Sequence, residues 1–147
     1  MAQTSKYLFV YGTLLSKENE FGKYLNRNCS FYTDGKFKGR LYDVGEYPGA
    51  VLDINGLNYV YGKVYRLNNA DEILNRLDDY EGFGPEQDQP NLFTRELINI
   101  ETRNALIVCW VYLYNLPVND FRLIASGKYH HKKSPGVLPP GDENILV

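Results

Sequence analysis

Apolar residues fall in short runs along the chain, and changes in their spacing mark out the elements. Tyr7-Leu8-Phe9-Val10-Tyr11 is a continuous apolar and aromatic run that predicts a buried strand, broken at Gly12. Ser16 then offers an N-cap, and Glu18 and Glu20 suit the positive end of a helix dipole. Phe21, Tyr24 and Leu25 keep helical spacing, which predicts a helix over about residues 17–27, weakened by Gly22. From Ser30 the pattern turns to strands. The stretch 31–44 is broken at Asp34-Gly35, a hairpin signal, and Gly45-Glu46-Tyr47-Pro48-Gly49 reads as a loop. Strands over 50–54 and 57–67 flank Asn55-Gly56, a stronger hairpin signal, and strands over 92–101 and 105–114 flank Thr102-Arg103-Asn104. One helix, over about 69–80, interrupts the series. Residues 132–147 carry Pro135, Pro139 and Pro140 and read as an extended or wrapping tail. The expected fold is a single α+β domain over 1–147: a small, mainly antiparallel β-barrel with flanking helices.

Two places break local rules. In the second helix Asn68 can cap the start, Asp71 and Glu72 sit near it, and Ile73, Leu74, Leu77 and Tyr80 form the apolar stripe. The last turn carries Asp78, Asp79 and Glu81 before the terminator Gly82, although acids there face the negative end of the dipole. Such acids either point into water or pair with Arg76 and neighbouring lysines, the reading preferred for Asp79. For Glu81 a second reading stands beside it: under aromatic cover and beside other acids, its carboxyl is expected to hold its proton more tightly and to move protons at neutral pH. The other place is Tyr11-Gly12-Thr13-Leu14, where a buried strand ends in glycine shortly before a helix. Unpaired N–H groups at such a turn form a nest for an anion, although an ordinary strand-to-helix turn has the same letters. The motif is not a Walker phosphate loop.

Composition narrows the classes. With 147 residues, 44% hydrophobic and 23% charged, the chain has globular usage, and its 13 tyrosines favour strands and pocket walls. A net charge of −2 supplies no basic field for a nucleic-acid backbone. No apolar stretch of about 18 residues occurs, so no membrane span is expected. The N-terminus lacks a signal-peptide pattern, which points to a cytoplasmic address. Cys29 and Cys109 lack disulfide-framework or metal-site spacing and read as reduced thiols, Cys109 in the core. His130-His131 has no third ligand nearby and reads as a solvated pair, so no metal is expected. No Gly-x-Ser-x-Gly elbow occurs.

Taken in order, the motifs resemble the γ-glutamylcyclotransferase-like superfamily, particularly its branch of γ-glutamylamine cyclotransferases and plant avirulence-induced-like proteins. The resemblance rests on Phe9-Val10-Tyr11-Gly12-Thr13-Leu14, the Glu46-Tyr47-Pro48-Gly49 loop and the strand Val60-Tyr61-Gly62-Lys63-Val64-Tyr65. Leu77-Asp78-Asp79-Tyr80-Glu81-Gly82, Phe93-Thr94-Arg95-Glu96 and Cys109-Trp110-Val111-Tyr112 complete it, so that it runs from about residue 6 to 129. It implies a small β-barrel with flanking helices and conversion of a γ-glutamyl amine or amide to 5-oxoproline, without metal or nucleotide. It implies Glu81 as the acid–base catalyst and Tyr11, Gly12, Thr13 and Leu14 as the loop holding the substrate's α-carboxylate; Tyr47, Pro48 and Tyr129 are further pocket candidates. Departures are Phe93, where a Tyr is frequent, and Lys128, where an Asp is common. Arg95 reads as structural, and the polar 85–92 loop as either a lid or an ordinary surface loop. Two other readings stay open: a module that holds a small carboxylate without turnover, and a hydrolase releasing free glutamate. The expected partner is a small γ-glutamyl molecule, with neither nucleic acid nor membrane.

Overall fold

The computed structural model of the chain describes residues 4–12, 20–45 and 47–129. In chain order the elements are β1 (Tyr7–Val10), α1 (Glu20–Asn28), β2 (Cys29–Asp43), β3 (Pro48–Leu52), β4 (Tyr59–Leu67), α2 (Ala70–Glu81), β5 (Phe93–Glu101), β6 (Leu106–Tyr114) and β7 (Arg122–Leu123). The short apolar β1 lies between two longer strands. It is antiparallel to β4, from Tyr7 opposite Arg66 to Val10 opposite Lys63, and parallel to β6 at Leu8 and Trp110. Strands β5 and β6 pair antiparallel along their length, from Phe93 opposite Tyr114 to Glu101 opposite Leu106. Strand β5 then meets β2 at Lys36 and Glu101, and β2 pairs with β4. Five strands therefore close into a mixed barrel with no open edge between β5 and β2. Closure depends on a missing side chain: a Cβ on Gly35 would lie 2.5 Å from Ile100 Cγ2.

Inward-facing residues of every barrel strand fill the core: Phe9, Phe37, Val60, Val64, Ile100, Val111 and Leu113 are all buried. Helix α2 adds Ile73, Leu74 and Leu77, and α1 adds Leu25. The two helices touch through a tilted ring pair, Phe21 against Tyr80 at 4.1 Å between centroids, with the Arg76 guanidinium over Tyr24 at 4.6 Å. No helix among the described residues is long and apolar enough to cross a membrane.

Two predicted hairpins are overturned. Asp34-Gly35 lies inside the continuous 15-residue β2, whose one irregularity is a register shift between Phe31 and Thr33. Glycine stands there for the approach of β5, not for a turn. Asn55-Gly56 does sit in a turn, with the Gly56 N–H donating to Asp53 O at 3.1 Å, but the flanking strands β3 and β4 run along opposite edges of β2. A single peptide serves both: Lys38 O accepts from Asp53 N–H, and Gly39 N–H donates to Asn58 O, each at 3.1 Å. The third hairpin, β5–β6, is present as predicted and closed by Thr102 against Ala105. Helix α2 begins one residue later than expected, with Asn69 rather than Asn68 at the N-cap, its amide donating to Glu72. Strand β7, paired with the far half of β2, was not foreseen. Among the predicted features, the Ser16 cap, Thr13 and Leu14, Glu46, the His130-His131 pair and the 132–147 tail lie outside the described residues.

Candidate active site

Helix α2 delivers Glu81 to the protein interior. Leu74, Asp78 and Glu81 recur at i, i+4 and i+7, so they share one helix face, and that face turns inward. The helix stops at Gly82, with φ 74°; its N–H donates to Asp79 O at 3.4 Å, and the Phe83 N–H donates to Asp78 O at 2.8 Å. This is a Schellman turn, and it leaves Glu81 as the last helical residue. Glu81 is 1% exposed and is the one charged side chain in the buried class among the described residues. A carboxyl so placed, at the negative end of a helix and out of water, is costly unless its surroundings use it.

Its surroundings are polar and ordered. Arg95 of β5 donates to Asp78 with two parallel bonds, Nε to Oδ1 at 2.7 Å and Nη2 to Oδ2 at 2.9 Å. The same guanidinium lies over Trp110 at 4.2 Å. The Tyr112 hydroxyl donates to Asp78 Oδ1 at 2.7 Å, and the Tyr11 hydroxyl donates to Tyr112 O at 2.6 Å. Ala50 N–H donates in turn to the Tyr11 oxygen at 3.3 Å. Burial pushes the Tyr11 phenol far above its ordinary range; the Ala50 bond works against this, and the negative charge of Glu81 adds to it. Tyr112 is likewise pushed well up, first by burial and then by the charge and hydrogen bond of Asp78; the Arg95 charge works against this and Glu81 adds to it. Glu81 therefore lies within electrostatic reach of both phenols, one at the end of β1 and one on β6.

Tyr11, Gly12 and Tyr129, all predicted site residues, line one cleft of ≈710 Å³. Glu81 lines a second, of ≈530 Å³, beside Asp79, Gln87 and Asp88. Tyr47 and Pro48 border neither. Pro48 pairs with Asp43 on β2, and Tyr47 packs on Phe93 at 6.0 Å. Thr13 and Leu14 lie outside the described residues. Asp79 is exposed, accepting from the Gln87 amide at 2.8 Å, and Arg76 pairs with Glu72 rather than with an acid of the last turn. The 85–92 loop is stapled to itself by Asn91, whose side chain accepts from Gly84 N–H and donates to Gly84 O and Asp88 O. Among the described residues no group of three His, Cys, Asp or Glu could hold a metal. The Asp78–Arg95–Tyr112 cluster was missed as a unit; the shared face of Asp78 and Glu81 was its one signal in the sequence.

Comparison with known proteins bears on the fold and the family. The Escherichia coli K12 protein described as gamma-glutamylcyclotransferase family protein YtfP is 33% identical over 129 residues, covering 83% of this chain and 94% of that protein. A gamma-L-glutamyl-butirosin B gamma-glutamyl cyclotransferase of Niallia circulans is 35% identical over 109 residues, 74% of this chain and 66% of that enzyme. The solution structure of ytfP from Escherichia coli superposes with a TM-score of 0.61 at 32% identity, over 84% of this chain and 95% of that one. An AIG2-like protein of Mus musculus shares the fold, with a TM-score of 0.63 at 22% identity over 85% and 88% of the two chains. Residues 8–131, from the second residue of β1 through all seven strands, match the family described as gamma-glutamyl cyclotransferase, AIG2-like. By barrel, by sequence and by relatives, the chain belongs to the gamma-glutamyl cyclotransferase, AIG2-like family.

Proposed function

We propose that this protein converts a γ-glutamyl amine or amide to 5-oxoproline and the free amine, with Glu81 carrying the protons. The observation behind this reading is the burial of the Glu81 carboxyl at 1% exposure within electrostatic reach of Tyr11, at the end of the strand that leads to Gly12. In this reading the backbone at Tyr11-Gly12 holds the α-carboxylate of the glutamyl group, and Thr13 and Leu14 continue that loop. Glu81 takes a proton from the α-ammonium, freeing its lone pair to attack the γ-carbonyl carbon. A new C–N bond closes the five-membered ring, and the bond to the departing nitrogen breaks. The ring nitrogen sheds two protons as it becomes a lactam N–H, and the departing nitrogen gains two as it leaves as an ammonium. No water, oxidant or other co-reactant enters the balance. A carboxyl group taken out of water is suited to alternate between base and acid in these steps. Holding amine and carbonyl within one folded chain contributes proximity.

The test is a mass-spectrometric assay for 5-oxoproline over a panel of γ-glutamyl amines and dipeptides. Glu81→Gln keeps the side chain's shape and is expected to lower turnover about 10²–10⁴-fold. Undiminished turnover in that variant removes Glu81 from the chemistry. Free glutamate in place of 5-oxoproline makes the protein a hydrolase, and binding of the panel without any product makes it a carboxylate-binding module.

A further inference from the structure

The two clefts differ in charge. Among the described residues, the one beside Glu81 carries Asp79 and Asp88, whereas the larger one, which Tyr11 and Gly12 line, carries Lys63 and Lys128 against the single carboxylate of Asp34. Both lysines are exposed. Lys63 stands opposite Val10 in the β1–β4 register, two residues before Gly12. Lys128 is brought to β4 by the Tyr61 N–H, which donates to Gly127 O at 2.9 Å. The Lys128 ammonium lies over the Tyr61 ring at 5.3 Å and that of Lys63 over Phe31 at 5.5 Å. Among the described residues neither lysine is in an ion pair, although Asp34 is the cross-strand neighbour of Lys63. Two ammonium groups resting on aromatic faces, set against the one Asp34 carboxylate among the described lining residues, leave an anion's place at the cleft wall. The cleft is of a size for a small organic ligand and larger than a glutamyl unit fills.

We infer that Lys63 and Lys128 select the charge of the departing amine, favouring γ-glutamyl compounds whose amine part bears a carboxylate over those whose amine part is neutral or cationic. This rests on the reading above, in which the glutamyl unit is held at Tyr11-Gly12. The amine part then extends along the wall formed by β4 and the 124–129 turn, and its carboxylate meets the two ammonium groups. Each exposed charge contact contributes a few-fold at most, so the pair together gives about a tenfold preference, weakened by salt.

The experiment compares γ-glutamyl-alanine with γ-glutamyl-ethylamide, which lacks only the carboxylate, and with γ-glutamyl-1,4-diaminobutane, which adds an ammonium. Rates of 5-oxoproline formation are read as ratios of kcat/KM. The expected ratio of anionic to neutral is about tenfold in the native protein, and it falls toward one in the Lys63→Gln/Lys128→Gln protein and in 0.5 M salt, while Lys23→Gln on α1 leaves it intact. A ratio near one in the native protein overturns the inference, and so does a preference for the diamine, which would place the amine part against Asp79 and Asp88. Calorimetric binding of the three compounds separates this from the enzymatic reading. If none yields product, selective binding of γ-glutamyl-alanine that the double variant loses upholds the inference, and equal or absent binding overturns it.

Discussion

The Tyr11 hydroxyl is used twice, donating to Tyr112 O and accepting from Ala50 N–H, and the residue is 4% exposed. It ties three strands, β1, β6 and β3, at the point where the chain leaves the barrel toward Gly12. Burial, more than the charge of Glu81, keeps its proton bound, so at neutral pH it is a hydroxyl donor and not a base. On the proposed mechanism this leaves proton transfer to Glu81 and gives Tyr11 the task of fixing the end of β1. Tyr11→Phe takes the hydroxyl away from a buried carbonyl and a buried N–H. It is expected to lower unfolding free energy by about 1–3 kcal/mol, measured by urea denaturation. A loss below about 0.5 kcal/mol would show that these bonds are replaced without cost and that Tyr11 is not what holds the end of β1.

At the scale of elements, the position of Glu81 depends on how the last turn of α2 is fastened to the barrel. Asp78, one turn before Glu81, is held by the Arg95 fork and by Tyr112, and the guanidinium lies over Trp110 at 4.2 Å and over Phe83 at 6.0 Å. The pair is partly buried, with side chains 16% and 17% exposed. Arg95→Ala removes the fork and leaves Asp78 to Tyr112 alone, at an expected cost on the order of 2–3 kcal/mol, below that of breaking a fully buried pair. Trp110 is the single tryptophan, so its emission reports the loss directly in the folded protein. Arg95→Lys restores charge without the planar fork and is expected to fall between the two. Native-like emission and stability in Arg95→Ala would mean that α2 is held by its apolar stripe alone.

This fastening also separates what could be read from the sequence from what could not. Helix α2, its stop at Gly82 and the shared face of Asp78 and Glu81 are local, set by spacing within a few residues. Arg95 lies 17 residues from its partner, and its role exists only once β5 lies alongside α2. Asp34-Gly35 misled for the same reason: Gly35 has no side chain because Ile100 comes against it, from a strand far along the chain. At Asn55-Gly56 the turn itself was legible, but the pairing of its flanks was decided by β2, which is long enough to take a strand on each edge. Turns follow local letters, whereas strand order follows the closing of the barrel.

Across the whole molecule, the tyrosine-rich barrel keeps several weak acids protonated, and this sets its tolerance of alkali. Burial pushes the Cys109 thiol up to about 12 from an ordinary value of 9.0, and holds the Tyr11 and Tyr112 phenols well above 10.0. In the unfolded chain these groups lose their protons near their ordinary values; in the folded chain they keep them. Below pH 9 the two states bind the same protons here, and stability is unaffected. Above it the unfolded state is increasingly favoured, first through Cys109 and Cys29, whose thiol burial pushes up to about 11, and then, beyond pH 10, through the two tyrosines. Each group in that interval removes about 1.4 kcal/mol per pH unit. The urea midpoint, measured under reducing conditions, is therefore expected to be flat from pH 7 to about 8.5 and to fall with growing steepness toward pH 11. Tyr11→Phe starts from lower stability but removes one titrating group, so its decline above pH 10 is shallower than that of the native protein. Parallel declines would mean that Tyr11 gains water and ionises in the folded barrel, and would break the argument that burial keeps it a donor beside Glu81.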